Sequence, residues 1–113
     1  MTHSNTRIFG SLYKEYYRRV FLFSKSFVHN DEVAEEIASD SLISLWQKMK
    51  EEEIYSPKDF LFRVAKNKSL DYLKHQALHI KIFESIDSWE AQDLSIRMSS
   101  LEQTNPDTIL SKE

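Results

Sequence analysis

The chain of 113 residues contains no cysteine, a single glycine and only two prolines. Without cysteine it can form neither a disulfide nor a thiolate metal site. With so little glycine and proline it lacks the frequent turn signals of a β-sheet, so the composition predicts an all-α fold. No apolar run approaches the roughly 20 residues that a membrane span needs, and the first residues do not resemble a secretory signal. We therefore expect a cytoplasmic protein without a membrane span.

Acidic and basic side chains are segregated along the chain, although the net charge is only −3. Residues 1–29 contain five basic and one acidic side chain, and residues 57–81 contain six and two. Residues 30–56 contain two basic and eight acidic side chains, and residues 82–113 contain two and seven. An acidic total argues against a nucleic-acid partner, because neutralised phosphates supply most of that affinity. A locally basic surface can still bind an anion, so the segregation indicates two different partners.

Three segments show the three- and four-residue spacing of apolar residues that predicts amphipathic helices. The first covers about residues 7–28, and its apolar stripe includes Tyr13. The second follows an N-cap at Asn30 or Asp31, has an acidic first turn and reaches about residue 49. The third begins at Ser56-Pro57, with serine as the N-cap and proline at the first helical position, and reaches residue 76 or beyond.

The apolar pattern weakens beyond Ile80. A few apolar residues there are spaced for a short fourth helix: Ile82, Phe83, Ile86 and Trp89. The stretch 95–113 is polar and acidic and contains Asn105-Pro106, which is typical of a linker. We predict a compact three- to four-helix bundle at residues 1–92, followed by a polar linker at residues 93–113.

The second predicted helix has a polar face opposite its apolar stripe. At about 100° per residue, this face contains Glu36, Ser39, Asp40, Ile43 and Gln47. An apolar residue ringed by polar ones, as Ile43 is, resembles the centre of a small protein interface. The alternative is a solvent-exposed face with one incidental isoleucine, because single exposed apolar residues are common.

The third predicted helix has a basic arc. Within about 100° of its circumference lie Arg63, Lys66, Asn67, Leu70 and Lys74. The cations would neutralise phosphates, and an aromatic side chain such as Tyr55 or Phe62 would stack on an unpaired base. The alternative is an ordinary solvated face, because amphipathic helices normally have charged arcs. Periodicity alone leaves both interpretations open.

A metal centre is geometrically conceivable at Asp71, His75 and His79, which recur at intervals of four. No fourth ligand is evident, and imidazoles also suit a helix end. The sequence shows no glycine-rich phosphate loop, no thiol and no serine in a recognisable nucleophile motif. We therefore expect no cofactor, no metal and no enzymatic activity, with a metal-dependent enzyme as one alternative hypothesis.

Three stretches occur in a familiar order: Phe9-x-x-Leu12-Tyr13-x-x-Tyr16, then Ala34 to Trp46, then Phe60 to Lys74. Together they resemble the polymerase-binding and promoter-melting domain of bacterial RNA polymerase sigma factors, of the small extracytoplasmic-function type. The second stretch is similar to the family signature AED-I-Q-x-x-F-x-x-W, and the third to WL-x-x-IA-x-N-x-x-x-D-x-x-R. Ser39, Phe60 and Lys74 differ from these signatures.

The resemblance implies a non-enzymatic transcription initiation factor that binds core RNA polymerase and recognises and melts the minus-ten promoter element. The polar face of the second helix would dock on the clamp helices of the largest catalytic subunit. The loop 50–56, with Tyr55 and Ser56, would hold a base flipped out of the nontemplate strand. The melted strand would be held by Arg63, Lys66, Asn67 and Lys74.

The resemblance also implies a second domain and a further partner. Members of the family continue into a helix-turn-helix domain that reads the minus-thirty-five element, and residues 101–113 resemble the linker before it. We therefore expect this chain to be a fragment of a longer factor. An anti-sigma factor covering the acidic second helix would be another partner. A hypothesis of a different class is a helical protein-interaction module, or a regulator, without DNA contact.

Overall fold

The structure is a computed structural model that describes residues 2–83 and 88–104, with side chains at 5–80 and 88–104. Within these ranges the chain forms four α-helices. They are α1 (Thr2–Val28), α2 (Asp31–Glu51), α3 (Pro57–Phe83) and α4 (Trp89–Gln103). No strand occurs in these described ranges. The prediction of an all-α bundle is confirmed.

The starts of α2 and α3 are set by the caps that the sequence predicts. The side-chain Oδ1 of Asn30 accepts a hydrogen bond from the backbone N–H of Val33 at 3.0 Å. Ser56 Oγ accepts one from the backbone N–H of Asp59 at 3.3 Å, and Pro57 is the first residue of α3. Each cap satisfies an N–H group that has no partner inside its own helix.

A tight turn at His29 connects α1 to α2. His29 has a φ of 55°, the left-handed conformation that commonly ends a helix. Its backbone N–H donates to the carbonyl oxygen of Lys25 at 3.0 Å. The ammonium of Lys25 also lies 3.0 Å from a carboxylate oxygen of Asp31 across the turn. This short connection forces α1 and α2 to pack as neighbours.

The core lies where the apolar sides of the three long helices meet. On α2 the buried residues lie opposite the predicted polar face: Ala34, Ile37, Ala38, Ser41, Leu42 and Leu45. Phe23 of α1 contacts Phe62 of α3 edge to face, with 5.4 Å between ring centroids. Phe9 of α1 packs on Trp46 of α2 at 5.0 Å. Because the apolar sides face inward, the polar sides of α2 and α3 are turned outward.

Helix α4 packs along α3 and occupies part of the stretch 93–113 for which the sequence predicts a linker. Its N-cap is Ser88, and its Leu94 and Leu101 are buried in the same core. Ala91 and Met98 also pack against this core, so apolar residues at spacings of three and four form the face that anchors α4.

The predicted short helix around Trp89 is therefore longer than the sequence indicates, and it does not include its predicted upstream residues. Ile82 and Phe83 belong to the end of α3, and Ile86 lies outside the described residues. A linker to a further domain stays a prediction for residues 105–113, which also lie outside the described residues. None of the helices in the described ranges is both long and apolar enough to cross a membrane.

Replacing Leu45 with alanine tests the core directly. Leu45 is fully buried, so Leu45→Ala should lower the free energy of unfolding by about 2–5 kcal/mol, because a cavity replaces the side chain. Ile43 is 52% exposed two residues earlier, so Ile43→Ala should change it by less than about 0.5 kcal/mol. Urea unfolding followed by circular dichroism measures both. Equal losses would mean that Ile43 is a core residue.

Candidate functional site

The outer face of α2 is the first candidate surface. On it lie all five side chains that the sequence places there: Glu36, Ser39, Asp40, Ile43 and Gln47. Ile43 is 52% exposed, while Ser39 and Asp40 are half-buried. Within the described residues, none of these five side chains forms a hydrogen bond or an ion pair. Their polar groups are therefore available to a partner.

Unpaired carboxylates give this face its charge. Asp31 pairs with Lys25 and Glu52 pairs with Lys48, but the carboxylates on the outer face have no cation within 4.0 Å in the described ranges: Glu32, Glu35, Glu36 and Asp40. Carboxylates without internal partners attract a basic partner.

Aromatic rings of α1 border the same face. Tyr13 stacks on Tyr17 with 5.3 Å between ring centroids and an interplanar angle of 17°. Tyr17 lines a groove together with Glu35 and Glu36 of α2. The spacing assigns Tyr13 to the apolar stripe of α1, yet the residue is 42% exposed. Tyr17 is a candidate that the sequence-based analysis missed, and its position four residues after Tyr13 is the signal that could have revealed it.

The outer arc of α3 is the second candidate surface. Arg63, Asn67 and Lys74 are exposed, and their spacing of four and seven residues puts them on one side of the helix. Leu70 lies between them but is half-buried and packs against the core. The exposed polar residues of the predicted arc therefore lie on one side of α3, with Leu70 turned toward the core between them.

Lys66 belongs to the same arc but already has partners. Its Nζ donates hydrogen bonds to the carbonyl oxygens of Glu102 at 3.1 Å and Thr104 at 2.9 Å, at the end of α4. Sequence reasoning could not identify these partners, because they lie 36 and 38 residues away in a segment predicted to be a linker. The side chain is half-buried as a result.

Of the two aromatic candidates for base stacking, only Tyr55 is accessible. Phe62 is 2% exposed and packs against Phe23, so the prediction that it meets a base is wrong. Its ring faces α1, and the preceding residue, Leu61, is buried as well. Tyr55 is fully exposed in the loop between α2 and α3. Ser56 in the same loop has its hydroxyl engaged as the N-cap of α3.

A hollow adjoins this loop. Its lining is mainly apolar, and the lining residues are Asn5, Ile8, Met49, Glu52, Glu53, Ile54 and Pro57. The hollow is open to solvent, and Tyr55 lies in the chain between two of the residues that line it, Ile54 and Pro57. An apolar lining of this kind could receive one flat apolar group.

The predicted alternative of a metal centre on α3 finds no support in the described residues. His75 Nδ1 lies 2.9 Å from the backbone carbonyl oxygen of Asp71, not from its carboxylate. Nowhere in residues 5–80 and 88–104 do three or more His, Cys, Asp or Glu side chains converge as a metal ion would require. The structure does not bring Asp71, His75 and His79 together as ligands.

Both candidate surfaces lie within a region shared with known proteins. A family model described as Sigma-70 region 2 matches residues 12–79, more than half of the chain. The matched range contains all of α2 and most of α1 and α3. No curated protein and no solved structure gives a significant match.

The metal alternative makes a measurable prediction of its own. Because His75 bonds a backbone carbonyl, we expect zinc to leave the midpoint of thermal unfolding unchanged, both for the natural chain and for the variant His75→Ala/His79→Ala. A ligand that binds only the folded state would raise that midpoint. Differential scanning fluorimetry with and without zinc gives the comparison. An increase that the double variant abolishes would establish a metal site.

Proposed function

This chain belongs to the sigma-70 family through its region 2, and from that premise we propose that α2 binds core RNA polymerase and α3 holds a melted promoter strand. The family consists of transcription factors, not of catalytic enzymes, and its region 2 acts in polymerase binding and promoter recognition. The observation that carries the finer proposal is the pair of oppositely charged outer faces on adjacent helices, both within the matched region.

On the polymerase side, we propose that α2 docks on the clamp helices of the largest catalytic subunit. Ile43 provides an exposed apolar centre, and the unpaired carboxylates around it would meet basic side chains of the partner. Stacked Tyr13 and Tyr17 at the border offer ring faces to arginine or lysine. Apolar burial would supply affinity, and the charges would supply orientation and speed of association.

On the promoter side, we propose that the partner is the nontemplate strand of the minus-ten element. Arg63 and Lys74 would neutralise phosphates, and the amide of Asn67 between them would bond a base edge. Tyr55 would stack on an unpaired base, a contact worth roughly 1–3 kcal/mol. Extruding a base costs a few kcal/mol, so the strand is held only when several such contacts act together.

The acidic loop between the helices favours one orientation of the strand. Glu53 would repel phosphates, while Glu52 pairs with Lys48, so the backbone would follow α3 while a flipped base enters the hollow beside the loop. The apolar lining of that hollow suits the faces of a base, and the carboxylate of Glu53 can accept hydrogen bonds from an exocyclic amino group.

We place the factor in the extracytoplasmic-function type, acting in the cytoplasm as the first domain of a longer protein whose next domain would read the minus-thirty-five element. An anti-sigma factor would act most directly by covering the outer face of α2. Both proposals rest on the likeness of the sequence stretches to that type and on the exposure of Ile43.

Replacing Ile43 tests the polymerase face. Ile43→Asp should reduce binding to core polymerase at least tenfold, because it puts a charge at the apolar centre of the interface, while folding is preserved at this exposed position. The matched control is Ile96→Asp on α4, where the isoleucine is 68% exposed and lies outside the proposed interface. Co-purification and surface plasmon resonance with core polymerase measure the effect. Equal behaviour of the two variants would refute the assignment of this face.

The promoter face is tested by the salt dependence of binding. Affinity falls with salt, and each cation that contacts a phosphate of single-stranded DNA makes the slope of log affinity against log salt more negative by about 0.7. Arg63→Ala/Lys74→Ala should therefore make this slope shallower by about 1.4 for labelled single-stranded minus-ten DNA in the presence of core polymerase.

The control for this measurement removes the same charge elsewhere. Lys14→Ala/Lys25→Ala takes two exposed cations from α1, and the ion pair of Lys25 with Asp31 is itself exposed, so folding should be kept. The slope should stay unchanged in this control. If Arg63→Ala/Lys74→Ala also leaves slope and affinity unchanged while polymerase binding persists, the chain is a protein-interaction module without DNA contact.

A further inference from the structure

The last turn of α4 has no basic residue of its own and obtains one from α3. The carbonyl oxygen of Ser100 accepts the hydroxyl of Thr104 at 2.8 Å, and that of Leu101 accepts the Thr104 N–H at 3.1 Å. The carbonyl oxygens of Glu102 and of the C-cap residue Thr104 both accept hydrogen bonds from the ammonium of Lys66. The final carbonyls of a helix lack internal partners and form its negative end, so a cation there stabilises the helix.

The same ammonium belongs to the basic arc of α3. Two of its three N–H groups are committed to α4, and the carboxylate of Glu102 belongs to the same turn. A phosphate approaching Lys66 would therefore meet carbonyl oxygens and a negative charge that compete for the cation. We propose that α4 is an intramolecular competitor of the nucleic-acid strand for Lys66, an inference that rests on the proposed function of α3.

The two ends of α4 are anchored differently. Near its middle, Arg97 donates to the carbonyl oxygen of Phe27 at 2.9 Å, which ties α4 to α1, and Asp93 of α4 itself pairs with the same guanidinium. At its C-terminal end the anchors are the buried Leu101 and the bonds from Lys66. A helix with 15 residues is marginal in water without such anchors. Loss of Lys66 to a phosphate would therefore loosen the C-terminal turn, which Leu101 alone would then hold, while the rest of α4 stays docked.

Competition of this kind is reciprocal. A strand that takes Lys66 from α4 loosens the C-terminal turns, and a change that loosens those turns strengthens strand binding by the same factor. The effect requires Lys66 itself, because Arg63 and Lys74 have no bond to α4. If α4 instead affected strand binding through the fold in general, its effect would persist without Lys66.

The experiment measures the affinity of the full chain, with core polymerase present, for a labelled single-stranded minus-ten oligonucleotide. Leu101→Ala loosens the last turns and should raise this affinity about fivefold, at the lower end of usual coupling. Ile96→Ala on the exposed side of α4 is the matched control and should leave the affinity unchanged. In a Lys66→Ala background, Leu101→Ala should give no increase.

A second variant and a second readout keep the test independent of core damage. Thr104→Gly removes the hydroxyl bond to Ser100 without touching the core, and it should also raise the affinity. Hydrogen exchange of the amides at residues 98–104 should become faster when the oligonucleotide is added. Faster exchange is likewise expected in Lys66→Ala, but not in Arg63→Ala.

The outcomes distinguish this inference from the proposed function. If Arg63→Ala weakens strand binding but neither Leu101→Ala nor Thr104→Gly raises it, the competition is refuted and the promoter face stands. Slower exchange of α4 on adding DNA would also overturn it, since α4 would then assist the strand. If neither Arg63→Ala nor Lys66→Ala changes strand binding, the proposed function of α3 fails first.

Discussion

Burial of the apolar sides of three long helices against one another is the constraint on which the rest of the structure depends. Once Leu42 and Leu45 of α2 and Leu61 and Ala65 of α3 face inward, the opposite sides of both helices must face solvent. Those sides carry opposite charges, so one small core presents an acidic surface and a basic surface at once. Two surfaces of opposite charge suit a sigma-70 region 2 domain, because its family binds both a polymerase and a promoter.

The helix caps and the tight connection at His29 define where α2 and α3 begin. With Asn30 and Ser56 capping the starts of α2 and α3, the rotation of each helix about its axis is set by its apolar stripe. A shift of one residue would move Ile43 by about 100° and carry it away from the outer face. The packing of the buried apolar residues therefore determines where the candidate surfaces lie.

Sequence reasoning was most accurate where helical periodicity is strong and local. The buried stripe of α2, the exposure of Ile43 and the position of Arg63, Asn67 and Lys74 on one side of α3 all followed from spacing alone. Prediction was weakest where distant segments meet. Phe62 lies next to the arc in sequence but faces α1. The apolar residues of α4 do recur at spacings of three and four, but its polar and acidic composition favoured a linker: they are Ala91, Leu94, Met98 and Leu101.

The sequence by itself determined the helical class, the two main caps and the family, because these depend on composition, on short-range spacing and on residue order. Only the tertiary structure decided which groups Lys66 binds. In the sequence Lys66 resembles a solvent-exposed cation, but in the fold its ammonium donates hydrogen bonds to carbonyl oxygens at the C-terminal end of α4. The physical reason is distance along the chain. The spacing of residues in the sequence does not predict a hydrogen bond between residues 66 and 104. This bond forms only because the burial of Leu94 and Leu101 packs α4 against α3.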